Sequence, residues 1–142
     1  MINTQFMREK LEKIKLFYEE LEGVFRVPAQ EIQKDYIKCH AVERLLQLIV
    51  DEILDVNNHL IARLNLELPD DFQGTFQILS DNKIIPEELA KKIAPVVGLR
   101  NRLVHRYEKI DLDFILRQIQ NEKANFKNYI KFIEEYIDSY AK

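Results

Sequence analysis

Apolar residues recur every three or four positions along most of this chain, which is the spacing of an α-helix. The pattern is longest between Pro28 and Leu64, a stretch that contains no glycine and has proline only at its first position. A helix with an apolar stripe must bury that stripe against other helices. The stripe of this segment consists of Val42, Leu45, Leu46, Ile49, Ile53, Val56, Leu60 and Leu64.

The composition also favours helices throughout. The chain has 142 residues, of which only three are glycine and four are proline, and it is rich in Leu, Ile, Glu and Lys. Its length suits one domain, and no internal repeat, linker or low-complexity segment divides it. We therefore predict an all-α protein, an antiparallel bundle of four to five helices that forms one domain over residues 1–142.

Helix boundaries follow from capping and breaking residues. Thr4 and Gly23 could begin and end the first helix. Pro95 interrupts the fourth pattern, either as a kink or as the first turn of a separate helix. The predicted helices run from about Thr4 to Glu22, from about Pro28 to Leu64, from an Asp70 or Asp71 cap to about Leu79, from about Pro86, and from about Asp111.

Charge and cysteine content restrict the possible functions. The net charge of −3 argues against a broad electrostatic grip on nucleic acid, so a phosphate site has to be local. Arg100, Arg102, Arg106 and Lys109 form such a local cluster, although a solvated helix face is the ordinary explanation of such a cluster. The single Cys39 excludes an intrachain disulfide and fits a reducing cytoplasm. We see no signal peptide and no apolar run long enough to span a membrane.

The segment 98–111 differs from the rest because it carries Arg100, Asn101, His105 and Tyr107 within eight positions. Its apolar residues fall on two strips of a helical wheel. We expect the first strip to face the core and the second to face a further partner, with Arg100, Asn101 and His105 in or beside the second. The first strip is Val96, Leu99, Leu103 and Ile110, and the second is Ile93, Val97 and Val104.

The residue types in this segment suit cleavage of RNA without a metal ion. Histidine can move protons near neutral pH, and arginine binds phosphate through a planar fork of donors. In such a reaction the ribose 2′-hydroxyl would attack the adjacent phosphate, with His105 moving protons and Arg100 stabilising the developing charge. A two-fold dimer would supply a second histidine. An arginine and a histidine five apart also occur by chance, and a histidine near a helix end can simply complement the helix dipole.

The segment 99–111 resembles the motif of HEPN-domain proteins of the HepT-like toxin family. The pattern is Arg, four residues, His, one residue and Tyr, with a polar residue after the Arg, and Arg100, Asn101, His105 and Tyr107 fill all four places. Residues 41–47 and 76–79 resemble the second helix and the short middle helix of that family.

This resemblance implies a HEPN-like fold and a ribonuclease toxin that acts as a homodimer on an RNA substrate, without metal or cofactor. Arg100 and His105 would be catalytic, and Asn101 would support them. The partner would be a minimal nucleotidyltransferase antitoxin that attaches AMP to Tyr107. A packed or hydrogen-bonded tyrosine is the alternative for Tyr107.

Two other functions stay open at the sequence level. The chain could be a non-catalytic helical module that pairs with a nucleotidyltransferase, or a nucleotide-binding helper, although no glycine-rich phosphate loop supports the latter. Ile37, Ala41 and Leu48 form a minor apolar strip on the long helix that could contact a partner, or could belong to a wide face of the bundle. We expect neither His40 nor His59 to bind a metal, because neither has a convincing second ligand.

Overall fold

The computed structural model describes residues 1–104 and 112–141 of the chain. These residues form eight helices and no strand, which confirms the all-α prediction. The helices are α1 (Thr4–Val24), α2 (Ala29–Lys34), α3 (Tyr36–Arg63), α4 (Thr75–Asp81), α5 (Glu87–Ile93), α6 (Val96–Val104), α7 (Leu112–Glu122) and α8 (Ala124–Ala141).

The count exceeds the prediction because three of the five predicted helices are each divided in two. The predicted helix 28–64 is interrupted at Asp35, whose carboxylate accepts hydrogen bonds from the N–H groups of Ile37 and Lys38 and so caps α3. Pro95 separates α5 from α6, so the alternative of a separate helix is the one that the structure shows. The physical reason is that proline has no N–H with which to continue α5. The predicted last helix is divided at Lys123 into α7 and α8.

The first helix also begins and ends differently from the prediction. Asn3 is its cap, because its side-chain oxygen accepts from the N–H of Phe6, and Thr4 is already helical. Gly23 does not end the helix, which continues to Val24. In the predicted third helix, Asp71 accepts from the N–H of Gly74, the residue that precedes α4.

Cross-helix contacts show that α1 runs antiparallel to both α3 and α8. Along α1, Asn3 contacts His59 and Lys10 contacts Asp55, so the start of α1 meets the end of α3. Ion pairs likewise join α1 to α8 in reversed order, which makes these helices the antiparallel centre of the bundle. The ion pairs with α8 are Arg8–Asp138 and Lys15–Glu134, and Glu22 pairs with Lys123, the residue just before α8.

The predicted apolar stripe of α3 is buried along its length, apart from the half-buried Leu64 at its end. The long helix α3 packs against both α1 and α6. The helix that carries the first half of the predicted motif is therefore attached to the longest and most buried helix of the fold.

Candidate active site

Arg100 projects from α6 onto α3. Its Nη1 atom donates to the carboxylate of Asp51 at 2.7 Å, and its Nε atom donates to the side-chain oxygen of Asn101 at 3.2 Å. Only 15% of the Arg100 side chain is exposed, whereas Asp51 is half exposed. The guanidinium is thus held on two sides at the edge of the bundle.

Asn101 lies on the exposed side of α6, next to Arg100. Because its side-chain oxygen accepts from Nε, its amide can orient the guanidinium. The structure therefore brings together two of the four predicted site residues. Arg102 is exposed and points away from the core, as expected from its position on the helix.

The other two predicted residues, His105 and Tyr107, lie outside the described residues. The same holds for Arg106, Lys109 and Ile110. Their parts in the site therefore remain predictions from the sequence.

The two apolar strips predicted for the motif helix have different outcomes. Val96, Leu99 and Leu103 of the first strip are buried in the core, as predicted. The second strip was expected to face a further partner, but Ile93 and Val97 are buried within this chain at 1% and 6% exposure. The break at Pro95 puts Ile93 on α5, so a wheel drawn through both helices does not hold for Ile93, whereas Val97 lies on α6 with the first strip.

The minor strip of α3 remains accessible. Ile37 is 66% exposed, and Ala41 and Leu48 are partly exposed. Asp51, which holds Arg100, continues the same face of α3, since residues 37, 41, 44, 48 and 51 repeat at helical spacing. The candidate site therefore borders a partly apolar surface.

Sequence reasoning did not identify Asp51 as a site residue. An acidic residue at helical spacing on that face was the available signal, but nothing in the sequence pairs it with a residue 49 positions away.

The two histidines on α3 have different surroundings. His59 accepts a hydrogen bond at Nε2 from the N–H of Asn3 and packs against Phe6, so it has a structural role. The side chain of His40 is mostly exposed. Across residues 1–104 and 112–141, no three side chains among His, Cys, Asp and Glu are grouped as a metal site would require. None of the helices in this part of the chain is both long and apolar enough to cross a membrane.

A cavity of about 250 Å³ lies beside α6, and Arg100 is not among the residues that line it. Its walls are mostly apolar, and lysines are among the lining residues. The lining includes Leu46, Lys91, Ile93, Val96, Leu99, Ile119 and Phe126. It is therefore separate from the candidate site.

The all-helical fold is what the sequence motif implied, and Arg100 and Asn101 lie together at its edge. Comparison with known proteins now gives the family. The chain belongs to the family described as "Ribonuclease HepT-like", whose model matches residues 7–133. The matched range contains the whole motif 99–111, and the resemblance stated from that motif is confirmed.

Two curated relatives match nearly full length. The "tRNA nuclease HepT" of Aphanizomenon flos-aquae is 30% identical over 136 residues, which cover 96% of this chain and 92% of the relative. The "mRNA nuclease HepT" of Shewanella oneidensis is 26% identical over 125 residues, which cover 88% of this chain and 93% of the relative.

Solved structures show the same fold. The Shewanella oneidensis HEPN toxin, solved as a tri-AMPylated protein in complex with an MNT antitoxin, has a TM-score of 0.83 and 25% identity, covering 92% of this chain and 97% of the toxin. YutE of Bacillus subtilis, described as a cytosolic protein of unknown function, has a TM-score of 0.75 and 25% identity, covering 93% of this chain and 91% of that protein.

Proposed function

We propose that this protein is the ribonuclease toxin of a toxin–antitoxin pair whose antitoxin is a minimal nucleotidyltransferase. The chain acts as one domain over residues 1–142, in the cytoplasm, and cleaves RNA without a metal ion. The observation that carries the proposal is the fixed guanidinium of Arg100, held beside Asn101 within a segment that the ribonuclease family model covers. The names of two nearly full-length relatives, a tRNA nuclease and an mRNA nuclease, support it.

The proposed reaction is an intramolecular transesterification at a phosphodiester of the RNA. The ribose 2′-oxygen attacks phosphorus, the new O2′–P bond forms, and the bond from phosphorus to the 5′-oxygen of the next nucleotide breaks. Arg100 stabilises the negative charge that develops on the phosphoryl oxygens. One imidazole accepts the proton of the 2′-hydroxyl, and another donates a proton to the leaving 5′-oxygen. The products are a 2′,3′-cyclic phosphate and a 5′-hydroxyl.

The proposal includes a two-fold homodimer, because each chain offers only one histidine in the motif. His105 of each chain would then supply one of the two proton transfers. The exposed Ile37 and the partly exposed Ala41 and Leu48, which lie on the same face of α3 as Asp51, support an interface that borders the site. A two-fold interface uses the same patch on both chains and so brings both motifs close to one axis.

Neutralisation would occur by attachment of AMP to Tyr107. The added phosphate carries negative charge and bulk into a site that has to bind the RNA backbone, so RNA is repelled. The AMPylated state of the Shewanella oneidensis toxin in its antitoxin complex supports this part of the proposal.

The test is RNA cleavage by purified protein in the presence of excess EDTA. We expect the parent protein to cleave RNA in the gel-filtration fraction of a dimer, with cyclic phosphate ends. Arg100→Ala and His105→Ala should each lower kcat at least about a hundredfold, in keeping with the loss of a charge-stabilising or proton-transferring group.

Arg102→Ala is the matched control, because Arg102 is an exposed arginine of the same helix and should be dispensable for the chemical step. Equal cleavage by His105→Ala and the parent would eliminate the nuclease proposal and favour the non-catalytic interaction module. Loss of cleavage in EDTA that returns with a divalent ion would contradict the metal-independent mechanism.

A further inference from the structure

The residue that faces Arg100 is on a different helix from the motif. Asp51 lies in the middle of α3, and its carboxylate oxygen is 2.7 Å from Nη1 of Arg100. On the other side, Asn101 accepts from Nε at 3.2 Å. Because the two acceptors engage different nitrogens, the plane of the guanidinium is fixed. Among the residues that the structure describes, none accepts from Nη2.

From this geometry we propose that Asp51 is a positioning residue for RNA cleavage: it holds the Arg100 guanidinium so that Nη2 faces the scissile phosphate. The inference rests on the proposed ribonuclease function. Asp51 does not touch the reacting atoms itself and acts only through Arg100.

A purely stabilising role accounts poorly for this ion pair. Asp51 is 49% exposed, and pairs with so exposed a partner contribute little to the free energy of folding. The geometric constraint is stronger, since an arginine side chain has many rotamers and loses orientation when a fixed acceptor is removed. An acceptor in the middle of a 28-residue helix is a rigid support for a catalytic group.

The carboxylate also has an electrostatic cost. Its negative charge offsets part of the positive charge of Arg100, and it would stand close to the negative phosphate of the substrate. Asp51 should therefore improve the chemical step through geometry while weakening RNA binding through charge. These opposite effects separate positioning from simple stabilisation of the fold.

The test compares three variants in RNA cleavage. Asp51→Ala removes the acceptor, and misplacement of Arg100 should lower kcat about tenfold to a hundredfold. Asp51→Asn keeps an oxygen acceptor without the charge, so kcat should stay within about threefold of the parent, and KM for RNA should fall as the repulsion of phosphate disappears.

Asp55→Ala is the matched control. Asp55 lies one turn further along α3 and is 51% exposed. It pairs at 2.8 Å with Lys10, which is on α1 and not on α6. The kcat and KM of the Asp55→Ala variant should equal those of the parent. The inference is wrong if Asp51→Ala behaves like Asp55→Ala, or if Asp51→Asn loses as much kcat as Asp51→Ala.

A second measurement separates this inference from the proposed function. In ¹⁵N-labelled protein, the Arg100 Nε–H group should exchange slowly and give a sharp resonance in the parent and in Asp55→Ala, and lose both properties in Asp51→Ala. Absence of RNA cleavage by the parent would defeat the proposed function and leave this result to judge the positioning of Arg100. An unchanged Arg100 resonance in Asp51→Ala would overturn the positioning role whether or not the parent cleaves RNA.

Discussion

At the scale of single residues, the chain contains a buried polar relay, a series of side chains in which each donates a hydrogen bond to the next. The fully buried Tyr129 of α8 donates to Asn57 of α3 at 2.5 Å. Asn57 donates to Thr75 at 2.9 Å, and Thr75 donates to the carbonyl of Phe72 at 2.7 Å. A tyrosine hydroxyl is protonated and can donate at neutral pH, and burial raises the pKa of Tyr129 further above its usual range. Each member satisfies the next, which fixes α8, α3 and α4 relative to one another.

We expect Tyr129→Phe to lower the free energy of unfolding by about 1–3 kcal/mol, because the oxygen of Asn57 would be buried without a donor. Urea denaturation followed by circular dichroism measures this change. Tyr36→Phe is the control, since Tyr36 is 73% exposed and its substitution should cost less than about 0.5 kcal/mol. Equal midpoints for the two variants would mean that the relay contributes nothing to stability.

At the scale of helices, the start of α1 is attached to the end of α3 by a contact that depends on protonation. Nε2 of His59 accepts from the N–H of Asn3 at 2.9 Å, which requires an unprotonated nitrogen. Desolvation lowers the pKa of His59, and the positive charges of Arg63 and the N-terminus lower it further. The neutral imidazole therefore belongs to the folded state.

The sign of the pH dependence follows from this shift. As the pH falls below about 6.5, the unfolded chain binds a proton at His59 before the folded chain does, so the stability contributed by His59 is present above that pH and declines below it. We expect His59→Gln to flatten the fall of unfolding free energy between pH 7.5 and pH 5.5, measured by urea titration at each pH. An NMR resonance of His59 that titrates above pH 6.5 would contradict the lowered pKa.

Interruption of helices shows what could be predicted at this scale. Pro95 was visible in the sequence as a break, although the sequence left its form open. Asp35 is a common cap residue, but the apolar spacing continues across it and predicts a single helix there. Lys123 gives no signal of a break, since lysine is a good helix former. Its amine lies 2.8 Å from Glu22 of α1, a tertiary contact that the local sequence does not show.

At the scale of the whole molecule, the proposed toxin has to be silenced by a partner. Co-expression with a minimal nucleotidyltransferase should add one or more AMP masses to the chain, mapped to Tyr107 by peptide mass spectrometry, and should suppress RNA cleavage. Tyr107→Phe should escape both effects, because it lacks the acceptor hydroxyl. Tyr140→Phe is the control and should be modified like the parent. AMP found on another residue, or an unmodified Tyr107 peptide with cleavage suppressed, would contradict the proposed mode of neutralisation.

The sequence by itself determined the helical class, the core stripe of α3 and the motif that identified the family. Those features depend on residue type and on the helical period, both of which are local. Only the tertiary structure decided that Ile93 and Val97 are buried within the chain and that Asp51 holds Arg100. The physical reason is that such contacts depend on the angle between helices and on which faces meet. Neither of these is encoded in the local periodic pattern of the sequence.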